Sequence, residues 1–358
     1  MSNEKDKNFK YEQTPTVNKI AGKSSMLFEN PPYIISESSV AGKKEAEGPL
    51  GKYFDLIVED GYFGANSWEE AESEFINKAA KLAIQKANLQ NSDIRYLVGG
   101  DLLGQLISTT FGVTDLEIPL LGVFGACSTM GEAMIIASTL VDGGYADKTL
   151  AITSSHFASA EKQFRFPMNY GNQRDPSASW TVTGSGAVII ADKPSSDKGV
   201  KSRIMGGTIG KVVDYGIKDN SNMGAAMAPA ATNTISQNFK DLNIQPGYYD
   251  KIITGDLGHI GSDILIDLMK QEGYDISSNH MDCGVEMYDK ESQDTHNGGS
   301  GCACCAITFT SYIINKLKQK EWNRVLFCPT GSLQSKVSFN EGQSLPGIAH
   351  AVIVEAQE

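Results

Sequence analysis

A chain of 358 residues is too long for one small domain and suits two fused halves or one large α/β domain. Hydrophobic residues at 41% and charged residues at 21% describe an ordinary globular protein. The net charge of −12 argues against nucleic acid as a partner and against broad electrostatic attachment to anionic membranes.

The N-terminus, from Met1 to Lys10, has no apolar stretch, so no signal peptide is expected and residues 1–16 read as a disordered tail. Residues 17–195 form the first predicted half. Asp93–Gly104 reads as a strand running into a Gly-Asp-Leu turn, and Ile118–Phe124 as a buried strand that breaks at Gly125. The chain then presents Cys127, passes Ser128 and Thr129 as helix N-caps, and runs helical to near Gly143. A strand over 149–154 and the β-rich Gly186–Ala191 close this half. The polar stretch Asp192–Gly199 has linker chemistry.

Residues 196–358 repeat the pattern, with Asp256 matching Asp101 at an offset of 155 residues. Asp250–Gly258 is again strand into Gly-Asp-Leu turn, and both aspartates read as caps of their own turns. Gly299–Ala306 opens a small-residue helix to about Lys318, followed by a strand over 325–328 and a last β-rich stretch over 349–354. The longest apolar runs, such as Ala133–Ala137, fall far short of the ~20 residues needed to span a bilayer. The predicted fold is therefore α/β: two pseudo-symmetric halves, each with a mixed to mostly parallel sheet covered by helices.

A cysteine on a strand-to-helix elbow meets the positive end of a helix dipole, which lowers a thiol's pKa toward the reactive range. The alternative is a small buried cysteine at a tight turn. The spacing of Cys302, Cys304 and Cys305 leaves no tetrahedral metal set, and small residues packing a helix explain the run better. No metal and no cofactor are expected.

Several segments in order carry a family resemblance: Glu47–Gly51, Gly125–Ser128, Thr153–His156, Gln163–Pro167, Thr181–Ala187, Met227–Ala231, Gly299–Ala303 and Ile348–His350. The duplicated half with its cysteine elbow resembles the thiolase superfamily, and these segments resemble the stage V sporulation protein AD family from about Gly22 to Glu355. That resemblance implies a thiolase-like fold without condensing activity. It implies binding of dipicolinic acid (pyridine-2,6-dicarboxylate), in its uptake with calcium into the developing spore and its release on germination. It further implies a homodimer held to the inner spore membrane of the forespore or spore through small integral membrane proteins of the same sporulation operon, the chain itself being soluble.

The residues depart from a working condensing site, which pairs its cysteine with two helpers, His with His or His with Asn. His259 is followed three residues later by Ser262 where a synthase pattern has Asn, and Asn297 precedes glycines without the expected Gly-His-Pro. No catalytic residue is assigned. For a dicarboxylate, Cys127–Ser128 and Ser300–Gly301 offer two helix starts, with Arg165, His156 and His350 as further candidates. Each has an alternative: Arg165 pairing with Glu161, His156 bonding a backbone carbonyl, His350 lying in the core. Lys162 and Arg174 read as solvated. Calcium, lacking any EF-hand-like loop, is expected to travel with the ligand. Two other functions stay open, an acyltransferase working through Cys127 and a scaffold that binds no ligand.

Overall fold

The computed structural model describes residues 19–163, 174–194 and 202–357. The predicted tail, most of the linker and Arg165 lie outside the described residues.

In the first half, strands β1 (Tyr33–Gly42), β2 (Tyr96–Asp101), β3 (Leu120–Gly122), β4 (Lys148–Ser155) and β5 (Gly184–Ala191) lie in the order β3-β2-β4-β5-β1. The second half contributes β6 (Ser202–Thr208), β7 (Lys251–Thr254), β8 (His280–Asp282), β9 (Arg324–Cys328) and β10 (Ala351–Ala356) in the matching order β8-β7-β9-β10-β6. In each half the first three strands of that order run parallel, and the last two pair antiparallel. β1 and β6 join the halves antiparallel through Tyr33 and Ile34.

The main helices are α1 (Trp68–Lys86), α2 (Thr129–Asp142), α3 (Met223–Leu242), α4 (Gly258–Gln271) and α5 (Cys302–Thr308). A π turn, Phe309–Ile313, carries α5 on to Lys318. Three apolar clusters show five layers. Side chains of α1 cover one face of the first sheet through Phe75, Ile76, Leu97 and Leu150. α3 and α4 cover the second sheet through Ile235, Leu265, Ile252 and Leu326. Between the sheets lie α2 and α5, with Met130 and Met134 among Val98, Ile253, Phe309 and Phe327.

This middle layer explains the cysteine run. Cys302, Cys304 and Cys305 are fully buried in a helix enclosed by both sheets. Their thiols donate to the carbonyls of Ala126, Gly255 and Cys127, at 3.0, 3.4 and 3.5 Å. Small polarizable side chains let that helix approach its neighbours closely. One expectation is corrected here. Of the run 118–124 only β3 forms a strand, and it lies at the edge of the sheet with all three residues exposed. An apolar run is equally compatible with a core strand and with an edge awaiting a cover.

Candidate functional site

β3 leads through Val123 and Phe124 into the elbow. Ala126 takes a left-handed conformation, φ 50°, unusual for a residue with a side chain. Its carbonyl accepts from Thr129 Oγ1 at 2.6 Å and from the Cys302 thiol, so both halves hold the turn. The Ser128 hydroxyl donates back to the Gly125 carbonyl at 2.7 Å, and neither it nor Thr129 caps the α2 amides as the sequence suggested. Gly331 presses on the elbow from the second half: a Cβ there would fall 2.2 Å from the Gly125 carbonyl oxygen. Only glycine permits this approach.

Opposite the elbow, Ser300 pairs with Thr181 in a short parallel bridge, and Gly301 turns at φ +99° into α5. A side chain at Gly301 would meet the Ser155 hydroxyl at 2.7 Å. Two N–H groups of this helix start are taken. Gly301 N–H donates to Asp256 at 3.0 Å, and Ala303 N–H to Ser155 Oγ at 3.0 Å. On the elbow side the Ser128 and Thr129 N–H groups close turns onto Gly125 and Ala126. These backbone donors are therefore occupied, and a ligand anion needs side chains.

A cavity of about 170 Å³ lies between the two helix starts, bordered by residues of both halves. Cys127, Ala126 and Ser300 line it, with Leu102, Phe124 and Met223 as apolar surface and Glu161, Arg174, Asp175 and Thr181 as polar wall. The Arg174 side chain is only 4% exposed, which corrects its reading as solvated. Its guanidinium lies 4.7 Å over the Trp180 ring and meets Asp294 through both the backbone carbonyl and the carboxylate. Trp180 stacks on Phe157 at 4.0 Å, and the Lys44 ammonium lies 4.4 Å from the same ring. Burial, with Arg174 close by, lowers the Lys44 pKa. Glu161 accepts from Thr181 Oγ1 at 3.0 Å.

The elbow thiol behaves opposite to the helix-dipole expectation. Cys127 is 6% exposed. Burial, the neighbouring Asp256 carboxyl and the Cys302 thiol push its pKa well above the ordinary thiol value. Asp256, 1% exposed, accepts hydrogen bonds from the Gly301 amide at 3.0 Å and from Thr330 Oγ1 at 2.8 Å. Burial outweighs these bonds and raises its carboxyl to about 7.

Of the residues singled out in the sequence, Cys127 and Ser300 meet at the cavity. Ser128 and Gly301 sit directly behind it, with their polar groups used internally. His156 does not line it: its Nε2 meets the Gly61 carbonyl at 2.8 Å, and its Nδ1 accepts from Ala158 N–H. His350 does not line it either. It is buried, its Nδ1 accepts from Gly210 N–H at 3.3 Å, and burial lowers its pKa to about 4. His259 lies half-buried near Lys290, Asp282 and Asp263, and Asn297 fastens the start of α4 through Ile260 N–H. No histidine lines the cavity among the described residues. Arg174 and Asp256 were not assigned to the site from sequence. A lone arginine in a polar loop has no periodic signal, and Asp256 reads like its partner Asp101.

A duplicated α/β chain with a cysteine elbow facing a second helix start has the architecture of the thiolase-like condensing enzymes. OleA of Xanthomonas campestris, in a variant form, matches with a TM-score of 0.60 at 14% identity, covering 94% of this chain and 99% of that one. The 3-oxoacyl-[acyl-carrier-protein] synthase III of Aquifex aeolicus matches with a TM-score of 0.53 at 14% identity, covering 90% and 99%. At such identity these likenesses establish the fold alone. Residues 22–355 match the family of stage V sporulation protein AD, and the Bacillus subtilis protein of that name is 45% identical over 337 residues, 94% of this chain and 98% of that protein. The chain belongs to the stage V sporulation protein AD family, and its role lies in sporulation.

Proposed function

We propose that the chain binds pyridine-2,6-dicarboxylate in the cavity between the two helix starts, and acts in moving it with calcium into the developing spore and in its release on germination. The carrying observation is Arg174, a buried guanidinium on the cavity wall backed by an aromatic face. Its parallel N–H donors suit a planar carboxylate, and the apolar surface of Leu102, Phe124 and Met223 suits a ring. Glu161 and Asp175 on the same wall oppose a bare dianion and suit one that arrives with its calcium.

In this reading the chain is no longer a condensing enzyme. Thioester chemistry needs a thiolate and a neighbouring base, whereas Cys127 faces a carboxyl and its pKa is raised. Leu121 and Phe124, 43% and 45% exposed at the sheet edge, support a homodimer closed over β3. No helix of the described residues is long and apolar enough to cross a membrane, and the attachment proposed to the inner spore membrane is through membrane proteins of the same operon.

Titration calorimetry with dipicolinate, with and without calcium, tests the reading on the wild type and Arg174→Ala. Saturable binding, weakened about tenfold or more in the variant, is expected from the loss of one charge-assisted contact. No heat in either condition would remove the binder reading and leave the scaffold. For the dimer, Leu121→Glu should halve the solution mass, and a wild type already monomeric would overturn it.

A further inference from the structure

We propose that Ser332 and Gln334 are the second anchor of the cavity and take the ligand's second carboxylate, so that the chain selects a dicarboxylate over a monocarboxylate. The inference rests on the cavity being the dipicolinate site and names the residues that read the acid's other end.

The Arg174 fork matches one planar carboxylate. The backbone N–H groups of Ser128, Thr129, Gly301 and Ala303 are spent within the fold, so the second carboxylate needs side chains from another element. The second half supplies two. Ser332 ends the short strand Thr330–Ser332, Gln334 follows two residues on, and both border the cavity.

Ser332 is 4% exposed, and its Oγ has no hydrogen-bond partner among the described residues. The Gln334 Oε1 is likewise buried without a partner, and its Nε2 meets only the Met223 sulfur, at 3.3 Å, a weak acceptor. Buried polar groups are nearly always paired, so two orphans on one cavity wall point to a ligand. Thr330, on the same face of the strand, shows the contrast. Its hydroxyl donates to Asp256 Oδ1 at 2.8 Å and accepts from Asp256 N–H at 3.2 Å, and so serves the fold.

The backbone under the two residues is fixed. Ser332 lies opposite Gly347 in a hairpin, and a Cβ at Gly347 would fall 2.6 Å from the Ala226 carbonyl oxygen. Leu333 N–H donates to the Pro346 carbonyl at 2.7 Å, and Gln334 N–H to the Ser332 carbonyl at 2.9 Å. Adaptation is left to the side chains. Rotation about χ1 turns the Ser332 hydroxyl into the cavity, and turning over the Gln334 amide exchanges Oε1 for the Nε2 donors at the loss of one thioether contact. One carboxylate then receives a hydroxyl and an amide donor.

The test titrates pyridine-2,6-dicarboxylate and pyridine-2-carboxylate, in the same calcium buffer, into wild type, Ser332→Ala, Gln334→Leu and Arg174→Ala. Wild type should bind the diacid about tenfold tighter or more than the monoacid. Ser332→Ala and Gln334→Leu should each weaken the diacid about three- to tenfold and leave the monoacid within about twofold, whereas Arg174→Ala weakens both. Ser332→Ala should also melt no lower than wild type, because it deletes a hydroxyl that the fold does not use. Diacid binding unchanged in both variants would overturn the proposal and leave the dipicolinate reading in place. Equal weakening of both acids, or a lowered melting temperature in Ser332→Ala, would make the hydroxyl structural and would also overturn it. A wild type that binds neither acid would remove the dipicolinate reading, and this inference with it.

Discussion

Asp101 and Asp256 stand at matching places in the two halves, Asp101 as the last residue of β2 and Asp256 two residues past the end of β7, yet they do different work. The first fastens the loop that follows it, through Leu103 and Thr109. The second accepts from Gly301 N–H and Thr330 Oγ1 within its own half, and so ties its turn to the start of α5 and not to the loop that follows it. The edges differ likewise: β3 is exposed along its length, while two of the three residues of β8 are buried. Duplication repeats backbone geometry, and the site arises where the copies stopped being equivalent.

Four measurements would break or sharpen that comparison. The largest effect is expected where one half leans on the other. Gly331→Val should cost about 3 kcal/mol or more in chemical unfolding, because its Cβ would lie 2.2 Å from the Gly125 carbonyl oxygen and 3.0 Å from the Ser128 nitrogen. A near-neutral result would mean that the elbow is not held from the second half.

Next comes acid. His350 has a folded pKa lowered to about 4 against about 6.5 in the unfolded chain, so the unfolded state binds the extra proton first. Its contribution is full above pH 6.5 and lost as pH falls toward 4, by about 3 kcal/mol. His156 in the first half, also lowered by burial, adds in the same direction. His350→Gln should flatten the slope between pH 6.5 and 4 in urea unfolding, and an unchanged slope would refute the assignment.

Asp101→Ala should cost about 1–3 kcal/mol in chemical unfolding by leaving two buried amides unpaired. A near-neutral result would mean that Asp101 does not fasten the loop after β2. The smallest effects belong to the exposed ion pairs, Lys81–Asp115 in the first half and Lys240–Glu272 in the second. Replacing either lysine by alanine should change stability by less than about 1 kcal/mol, and by less still in high salt.

The duplication was legible because it rests on local pattern: a strand, a Gly-Asp-Leu turn and a small-residue helix recur at a constant offset, and all reappear in the matching strand orders. The elbow was legible because a cysteine between a glycine and two hydroxyl residues has few other homes. The chemistry of the elbow was not. Helix-dipole reasoning sees α2 alone, whereas burial and a carboxyl from a residue 129 positions further along the chain set the Cys127 pKa. His156 and His350 looked like site residues because they flank strand ends, yet backbone groups of Gly61, Ala158 and Gly210 claim their ring nitrogens.

By itself, then, the sequence determined the repeated α/β pattern, the cysteine elbow, the small-residue helix start and the family, all of which rest on neighbours along the chain. Only the tertiary structure decided which N–H groups were already taken, that Arg174 is buried against Trp180, and that β3 is an edge. Those outcomes depend on burial and on contacts between the two halves, where desolvation and a single facing charge outweigh any local propensity.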